Sequence, residues 1–480
     1  MLLILSIDVF VAGLLIATAT TRGLERTLPL ATALLILFPV ESQITVPGLF
    51  DLTTQRVIVL TLLGLYFATG SRGGAKLTSD HLPLVILLSL QFLWLATSTA
   101  HSVVFTISLK TLLSQILDYF VVFYIFVKTI RSVSTIHNIL AGFVTAMIFL
   151  SFFGAIEAYT GWGLLSLFPE VAHRFSIEGY GGPDGSGRVQ TTFSHPILFG
   201  GGLAMAIPLA LYLSSIATRL HQKWFLWAGI LVMFLCIYKT GSRGPWIALV
   251  ISLALLAVAG GRQIRQYLMI ITLLTTTVLV ARPGVWLTLD NLYGATRDPD
   301  SPEGESYQWR FALYDLAFRE LGKDSERALW GYGPESFYYL QLTTDFSVDG
   351  VLRTVKVESC DSSVAALMIE TGYGGLLVTA LVLITPALIA FASFRREKEP
   401  DRQLHLLLLC NMIAYYFLMT NVAIYGWGQQ SYFLWIILAI SVAYPALRQS
   451  APDMSHNLLM LGATPGSTCL QTTSALNNSQ

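Results

Sequence analysis

A short polar connection between two apolar stretches carries an arginine in a setting that suits anion binding. The connection reads Lys239-Thr240-Gly241-Ser242-Arg243-Gly244-Pro245-Trp246. Ser242 is a residue type that caps helices and Pro245 suits a first helical turn, so we expect a helix to begin here. A helix N-terminus favours an anion, and the guanidinium of Arg243 matches phosphate oxygens. The alternative is an arginine that extends from the membrane boundary to water.

A second group of candidates surrounds an apolar stretch that begins near residue 362. Asp361 lies at its start and can act as a general base, or it can simply favour a helix N-terminus electrostatically. Glu370 lies about two turns deeper, where a carboxylate is costly in lipid unless it faces a polar cavity. Before both comes Gly331-Tyr332-Gly333-Pro334-Glu335-Ser336-Phe337. This segment predicts a turn whose aromatic rings could stack on sugars or anchor the loop at the membrane surface.

His195 and Pro196 open another apolar stretch, and Gly200-Gly201-Gly202 follow about one turn later. Three glycines permit the close approach of another helix or of a ligand. His195 is therefore a candidate binding residue. The alternative is a histidine at the membrane surface near a helix start.

The composition indicates that a membrane framework positions these residues. The chain has 480 residues, of which 54% are apolar and only 12% are charged. A soluble domain is about one-quarter charged, so a soluble globular enzyme is excluded. The 29 basic residues are balanced by 29 acidic ones, which also excludes a nucleic-acid partner, because binding phosphate backbones requires a basic face.

We predict an all-α membrane protein, because lipid cannot satisfy open backbone groups. A spanning helix needs about 20 mostly apolar residues. Such stretches lie near 2–20, 28–46, 54–70, 82–99, 108–128, 136–159, 193–217, 224–240, 243–260, 266–283, 362–393, 404–423 and 430–447. The prediction is about 13 transmembrane helices, with 12 to 14 as the range.

The distribution of Lys and Arg predicts the orientation, because cytoplasmic connections carry the positive charge. Every second connection is basic, which places the N-terminus outside and the C-terminus in the cytoplasm. Residues 1–448 then form a polytopic transmembrane domain, with a large outward loop at 284–361. Residues 449–480 are rich in Ser, Thr and Asn, and we predict a disordered cytoplasmic tail.

The large outward loop contains one segment with helical periodicity. Its apolar residues recur at helical spacing, as Trp309, Leu313, Leu316, Ala317 and Leu321. The segment predicts an amphipathic helix that lies against the outer membrane surface or the mouth of a cavity.

Taken in order, the motifs resemble the O-antigen ligase/polymerase family of bacterial membrane glycosyltransferases. The shared elements are Thr240-Gly241-Ser242-Arg243-Gly244, Arg310 on the first helix of the large loop, Gly331-Tyr332-Gly333, and Asp361 followed by Glu370-x-Gly372-x-x-Gly375. His195-Pro196 also matches a recurring element of the family. The resemblance implies a GT-C-type helical fold in the bacterial inner membrane. It also implies an inverting, metal-independent transferase without a cofactor, whose donor is a glycan on undecaprenyl diphosphate.

The resemblance also implies roles for individual residues. Arg243 and Arg310 match the two arginines thought to hold the diphosphate. Ligases of the family carry His, usually followed by Asn, where this chain has Asp361-Ser362. An acidic residue at this position is more similar to the exopolysaccharide-polymerase relatives.

The function that we expect is polymerisation of undecaprenyl-diphosphate-linked oligosaccharide repeat units into an exopolysaccharide or O-antigen at the periplasmic face. Two arginines would stabilise the leaving diphosphate. A carboxylate would take the acceptor proton, with Asp361 as the first candidate and Glu335 as the second. The remaining predicted binding residues are His195, Ser242, Tyr332 and Glu370. The implied partners are the bilayer, the lipid-linked glycan, and other polysaccharide assembly or chain-length proteins.

Three alternatives stay open. The nearest is an O-antigen ligase that passes the glycan to lipid A core. A transporter or flippase predicts ionisable residues deep in several spans, and Asp118 is the main example. The third alternative is a non-catalytic partner in polysaccharide export.

Overall fold

A computed structural model describes residues 2–45, 50–70, 82–168, 187–281, 301–348 and 351–461, together with isolated positions between 284 and 298. Within these residues the chain is almost entirely helical, and the only sheets are two small antiparallel pairs, which confirms the predicted all-α class. Each of the thirteen predicted apolar stretches contains a helix. Among the described residues, eight helices are long and apolar enough to cross a membrane, so the count of thirteen crossings stays a prediction.

The first half of the bundle runs from α1 to α7. Its helices are α1 (Leu2–Arg22), α2 (Leu24–Leu37), α3 (Thr54–Ala68), α4 (Leu82–Ala100), α5 (Phe105–Gln115), α6 (Val122–Thr129) and α7 (Val133–Thr160), with a π-helical segment (Ile116–Val121) between α5 and α6. The predicted span 28–46 is too long, because α2 ends at Leu37. Phe38 is extended because Pro39 follows it. Strands β1 (Gln43–Ile44) and β2 (Leu52–Thr53) pair beyond that point.

The second half contains the candidate residues. Its helices are α8 (Pro196–Ile216), α9 (Leu220–Lys239), α10 (Arg243–Ala259), α11 (Arg262–Ala281), α12 (Pro302–Leu321), α13 (Ser325–Trp330), α14 (Ser363–Arg396), α15 (Asp401–Met419) and α16 (Gln429–Leu461). Strands β3 (Thr343–Val348) and β4 (Val351–Lys356) form a hairpin before α14. Helix α16 continues past residue 449, so the backbone of the first part of the predicted tail is helical. Residues 462–480 lie outside the described residues.

Helix α8 and the first part of α16 lie at the centre of the bundle. In the apolar windows of Pro196–Ile216 and Gln429–Arg448, 94% and 89% of the residues are buried within the protein. The predicted close approach at the three glycines is present. A Cβ on Gly200 would lie 2.8 Å from Pro245 Cγ, and one on Gly202 would lie 3.0 Å from Met147 Cε. Gly200 therefore brings the starts of α8 and α10 together, and Gly202 brings α8 close to α7.

The amphipathic helix predicted in the large loop is α12. Leu313, Leu316, Ala317 and Leu321 are fully buried. They pack in a small second core with Phe337 and residues at the start of α14, and α12 also contacts β3. The apolar face of the helix is therefore attached to the bundle through the start of α14.

The mid-span carboxylate Asp118 is paired within the fold. It lies in the π-helical segment and forms an ion pair with Arg56 at 3.0 Å. The hydroxyl of Tyr432 donates a further hydrogen bond to Asp118 at 2.8 Å. An Arg–Asp pair that also has a hydroxyl partner fits a structural role for this deep acidic side chain.

Candidate functional site

Arg310 on α12 lies against the connection between α15 and α16. Its Nε donates to the backbone oxygen of Asn421 at 3.0 Å, and its Nη1 donates to the backbone oxygen of Ser306 at 2.6 Å. A Cβ on Gly244 would lie 3.9 Å from Asn421 Cβ. Gly244 follows Arg243, the first residue of α10. The corner at Asn421 therefore brings Arg310 close to the start of the helix that carries Arg243.

Arg188 is a third arginine at this place, and the sequence analysis missed it. Its Nε donates to the backbone oxygen of Thr240 at 2.7 Å, and its Nη2 donates to Ser242 Oγ at 2.6 Å. Ser242 occupies the N-cap position of α10 as predicted, but its side chain does not cap the helix. The hydroxyl accepts from Arg188 instead. The one available signal was an arginine in the polar segment before His195-Pro196.

The segment that carries Arg188 is held in place by a carboxylate of α7. Glu157 accepts hydrogen bonds from the backbone N–H groups of Gln190 at 3.1 Å and Thr191 at 2.9 Å. Thr191 has a φ of 57°, a left-handed conformation that a threonine rarely adopts. The two hydrogen bonds offset that strain, and the segment leads directly to His195.

His195 lies between the arginines in a neutral state. It is the N-cap of α8, and its Nδ1 accepts a hydrogen bond from the N–H of Ile197 at 3.1 Å. Burial, together with the charges of Arg188 and Arg310, lowers its pKa to about 4. With Nδ1 engaged as an acceptor, the neutral ring carries its proton on Nε2. His195 can therefore donate a hydrogen bond at neutral pH, but its only basic nitrogen is already occupied.

Asp361 is half-buried directly before α14. Burial raises the pKa of its carboxyl, whereas the positive charge of Arg310 lowers it. Ser362, not Asp361, caps the helix, because Ser362 Oγ accepts from the N–H of Ala365 at 3.3 Å. The carboxylate of Asp361 therefore has no capping role, which leaves it available for proton transfer beside Arg310.

The start of α14 and the Asn421 corner form one hydrogen-bonded unit. Ser363 Oγ accepts from the N–H groups of Ile424 at 2.8 Å and Tyr425 at 2.9 Å, and it donates to the backbone oxygen of Val422 at 3.0 Å. The hydroxyl of Ser362 donates to Tyr314 on α12 at 2.9 Å. Asp361 and Arg310 are thus mounted on the same rigid support.

Glu370 serves the backbone of the neighbouring loop. Its carboxylate accepts hydrogen bonds from the N–H groups of Glu335 and Phe337. Helix α14 is kinked about two and a half turns into its length, because Gly372 has a φ of 69°. Glu370 is therefore satisfied by protein groups and holds the loop that carries Glu335.

Glu335 is exposed and has a φ of 62°. The protein that surrounds its carboxyl raises its pKa. Its charge also acts on the phenol of Tyr338, as do those of Asp361 and Glu370. Glu335 and Asp361 therefore both contribute negative charge at Tyr338.

Tyr332 lies in the same loop as Glu335, but its side chain is surrounded by different charged groups. The guanidinium of Arg327 lies 5.1 Å from the centroid of its ring, and the charged groups that act on its phenol are Glu320, Lys323, Arg327 and Asp324. Its N–H donates to the backbone oxygen of Ile369 at 2.9 Å. The charged groups that act on Tyr332 therefore include neither Arg188 nor Arg310 nor Asp361.

A comparison with family models identifies this part of the chain. Residues 228–380 match the model described as O-antigen ligase. This part of the chain is similar to the O-antigen ligase family. The resemblance inferred from the motifs is confirmed, and the matched residues include Arg243, Arg310 and Asp361. No curated protein matches the chain.

Two residues of the site lie outside the part of the chain that matches the O-antigen ligase model. Arg188 and His195 precede residue 228, and the fold brings them to the start of α10 through the hydrogen bonds to Thr240 and Ser242. The site therefore combines a cationic half, around Arg188, His195, Arg243 and Arg310, with an acidic half around Asp361 and Glu335. The two halves meet at Arg310 and Asp361, whose opposite charges interact.

Proposed function

We propose that the protein polymerises oligosaccharide repeat units linked to undecaprenyl diphosphate, at the periplasmic face of the bacterial inner membrane. The single observation that carries the proposal is the meeting of Arg310 and Asp361 on the Asn421 corner, beside His195 and Arg188. This arrangement offers fixed positive charge for a diphosphate next to a carboxylate with a raised pKa. Arg243 and Arg310 are the proposed diphosphate ligands, and Ser242 acts through Arg188.

The proposed reaction is a displacement with inversion. The acceptor hydroxyl oxygen attacks the anomeric carbon from the face opposite the diphosphate, and the bond between that carbon and the diphosphate oxygen breaks. The hydroxyl proton passes to Asp361, and undecaprenyl diphosphate leaves with the bonding electrons. Guanidinium groups held in advance where the charge develops stabilise the leaving oxygens. No step in this scheme uses a metal ion or a cofactor.

His195 contributes in a different way from the arginines. A neutral imidazole with its proton on Nε2 can donate one hydrogen bond to a phosphate oxygen without adding a charge. Its lowered pKa supports this role over general-base catalysis. The proton acceptor in the proposal is therefore a carboxylate.

A second candidate function is ligation of the finished glycan to lipid A core, and the family description favours it. The same donor and the same cationic half would serve a ligase. Asp361 in place of the histidine of the ligases favours the polymerase. The acceptor distinguishes the two: another lipid-linked repeat unit for a polymerase, or lipid A core for a ligase.

The test uses host cells from which the gene has been deleted, complemented with the wild-type protein or with Arg243→Ala. Glycan on carrier lipid and released glycan are separated by size. Loss of long chains in the deleted cells supports the polymerase, and accumulation of long chains on carrier lipid supports the ligase. Chains of normal length with a normally expressed Arg243→Ala protein would contradict the role of the arginine in either function.

A further inference from the structure

The connection between α10 and α11 lies beside the connection between α14 and α15. Helices α10 and α15 pack against each other, and Ser252 Oγ donates to the backbone oxygen of Cys410 at 3.2 Å. Where the two connections meet, a Cβ on Gly261 would lie 2.8 Å from Cδ of Gln403. Helix α10 starts at Arg243 in the candidate site and has 17 residues, so its other end is about 25 Å away. The two connections are therefore remote from the candidate site.

A recess of about 430 Å³ opens between the two connections. Three arginines line it: Arg262 and Arg265 at the start of α11, and Arg402 at the start of α15. Among the described residues, Glu399 is the only acidic residue on its wall. The first recess therefore has an excess of positive charge.

A second recess, of about 450 Å³, adjoins the first, because Arg402 lines both. Arg395 supplies another guanidinium to it, and Glu397 supplies a carboxylate. The guanidinium of Arg402 lies 4.6 Å from the ring centroid of Phe394, which also lines this recess. This cation–π contact holds the Arg402 side chain at the edge that the two recesses share.

The positive charge of the two recesses is not neutralised within the protein. In the part of the chain that the structure describes, none of their four arginines forms an ion pair. Asp401, the acidic neighbour of Arg402 in the chain, is paired with Arg448 instead and accepts from the hydroxyl of Tyr444 at 2.6 Å. Four guanidinium groups and two carboxylates leave a net positive surface that suits an anion.

Both recesses also border exposed apolar surface. Ile384, Leu388 and Phe391 recur at helical spacing on α14 and are exposed, and Arg395 follows one turn after Phe391. On α10, the exposed side chain of Val258 lines the first recess. Exposed apolar side chains on apolar helices of a membrane protein contact acyl chains. The arginines therefore lie where an acyl chain joins its headgroup.

We propose that the two recesses bind the headgroup of an anionic phospholipid. The guanidinium groups bind its phosphate oxygens, for which their planar fork is well matched, and its acyl chains lie along the apolar stripe of α14. The apolar border favours a lipid over a soluble phosphate, because only a lipid has chains to place there. Both connections are basic and lie on the side predicted to be cytoplasmic, where anionic lipids attract Lys and Arg. The site is separate from the proposed reaction, so its test does not depend on that function.

Lipid binding is measured on the full-length protein in detergent by native mass spectrometry, with phosphatidylglycerol or phosphatidylcholine added. Both lipids have a phosphate, but only phosphatidylglycerol has a net negative charge. The wild type should bind phosphatidylglycerol about tenfold more tightly, and the double variant Arg265→Gln with Arg402→Gln should lose that preference. Its Tm without added lipid should match the wild type, because neither arginine forms an ion pair. Equal affinity of the wild type for the two lipids, or an unchanged preference in the double variant, would overturn the proposal.

The matched control is the double variant Arg219→Gln with Lys223→Gln. These residues lie at the connection between α8 and α9, on the same predicted side of the membrane, and the control removes the same amount of charge. It should keep the preference for phosphatidylglycerol. An equal loss in the two double variants would assign the preference to the overall surface charge and contradict a defined site.

A gain of binding gives a test that a folding defect would not imitate. Glu399→Gln removes the carboxylate from the first recess and should tighten binding of phosphatidylglycerol, because that carboxylate repels the phosphate. Weaker binding by Glu399→Gln would overturn the proposal. Inorganic phosphate in excess should leave phosphatidylglycerol bound, whereas its displacement would make the ligand a soluble anion and contradict the lipid assignment.

Discussion

The backbone oxygen of Glu370 accepts a hydrogen bond from the N–H of Gly333 at 2.8 Å. The kink of α14 at Gly372 makes this oxygen available, because a regular helix would use it for the N–H four residues later. The loop and α14 approach each other very closely at a glycine of each, Gly331 and Gly372. A Cβ on Gly331 would lie 2.4 Å from the oxygen of Glu370, and one on Gly372 would lie 2.3 Å from the oxygen of Leu329. The loop that carries Glu335 is thus locked to the helix that begins beside Asp361.

Gly372→Ala should therefore destabilise the protein. Gly372 has a φ of 69° and a ψ of −177°, a conformation that costs a residue with a Cβ about 1–3 kcal/mol, and the clash with Leu329 adds to that penalty. The measurement is thermal unfolding of the purified protein in detergent. We expect a lower Tm and loss of chain extension together, because both carboxylates depend on this contact.

Gly64→Ala is the control for that substitution. Gly64 lies within α3, and a Cβ there would have nothing within 4 Å. Alanine is favoured over glycine in a helix by about 1 kcal/mol, so Gly64→Ala should be neutral or stabilising. A Gly372→Ala protein with the Tm of the wild type would contradict the locking role of the kink.

Arg310 should be essential for chain extension because of its positive charge and because its planar guanidinium donates in two directions at once. Arg310→Ala removes the positive charge beside Asp361 and the hydrogen bond to Asn421, and we expect the rate of chain extension to fall by about 10²–10³-fold. Arg310→Lys keeps the charge but lacks the planar fork that directs Nε to Asn421 and Nη1 to Ser306, so it should recover only part of that loss. The assay is extension of lipid-linked repeat units by purified protein.

Arg319 is the matched control for Arg310. It lies on the same helix and bonds the backbone oxygen of Thr343 from an exposed position away from the site. Arg319→Ala should leave the rate of extension unchanged. Full activity in Arg310→Ala would show that this guanidinium has no part in the reaction.

The fold was largely predictable from apolar stretches, because lipid demands helices of a set length and turns between them. The amphipathic segment was equally clear, since Leu313, Leu316, Ala317 and Leu321 repeat at helical spacing and are all buried. The end of α2 was misplaced. Pro39 stops the helix at a point where the apolar character of the chain continues, so hydropathy alone gave too long a span.

The site was only partly predictable, because its residues meet through tertiary contacts. Arg243, Arg310 and Asp361 could be found because each belongs to a motif. Arg188 could not, since only the fold reveals that it bonds Thr240 and Ser242, about 50 residues further along the chain. The same limit applies to Tyr332, which was predicted to bind substrate because aromatic rings stack on sugars. The sequence did not reveal that the guanidinium of Arg327 lies over its ring.

Arg188 should contribute more than its hydrogen bond to Ser242. Ser242→Ala removes the hydroxyl that accepts from Arg188, and because this side chain does not cap α10, no capping energy is lost. Arg188 keeps its hydrogen bond to the backbone oxygen of Thr240 in this variant, so Ser242→Ala should still fold, with a stability lower by at most about 1.5–3 kcal/mol and with reduced activity.

Arg188→Ala should reduce the activity more than Ser242→Ala does, because it also removes the charge near His195. Extension rates and KM for the lipid-linked donor are measured for both variants, with Tm as the check on folding. Equal losses in the two variants would mean that Arg188 acts only through Ser242. A larger loss in Ser242→Ala would contradict the order that we expect.

The rate of chain extension should fall at acid pH because of Asp361. Its carboxyl has a pKa raised from the ordinary value of 3.8, with burial outweighing the opposing charge of Arg310. The carboxylate is the active form, so activity is full above the folded pKa and is lost as the pH falls through it. The pH of half-maximal kcat should lie above 3.8.

His195 has a pKa of about 4 and could contribute to the same loss. His195→Asn keeps a good N-cap and removes that titration, so an acid limb that persists in this variant belongs to Asp361. Asp361→Asn should have a low rate with no acid limb, and an unchanged limb in Asp361→Asn would assign the base to another carboxylate.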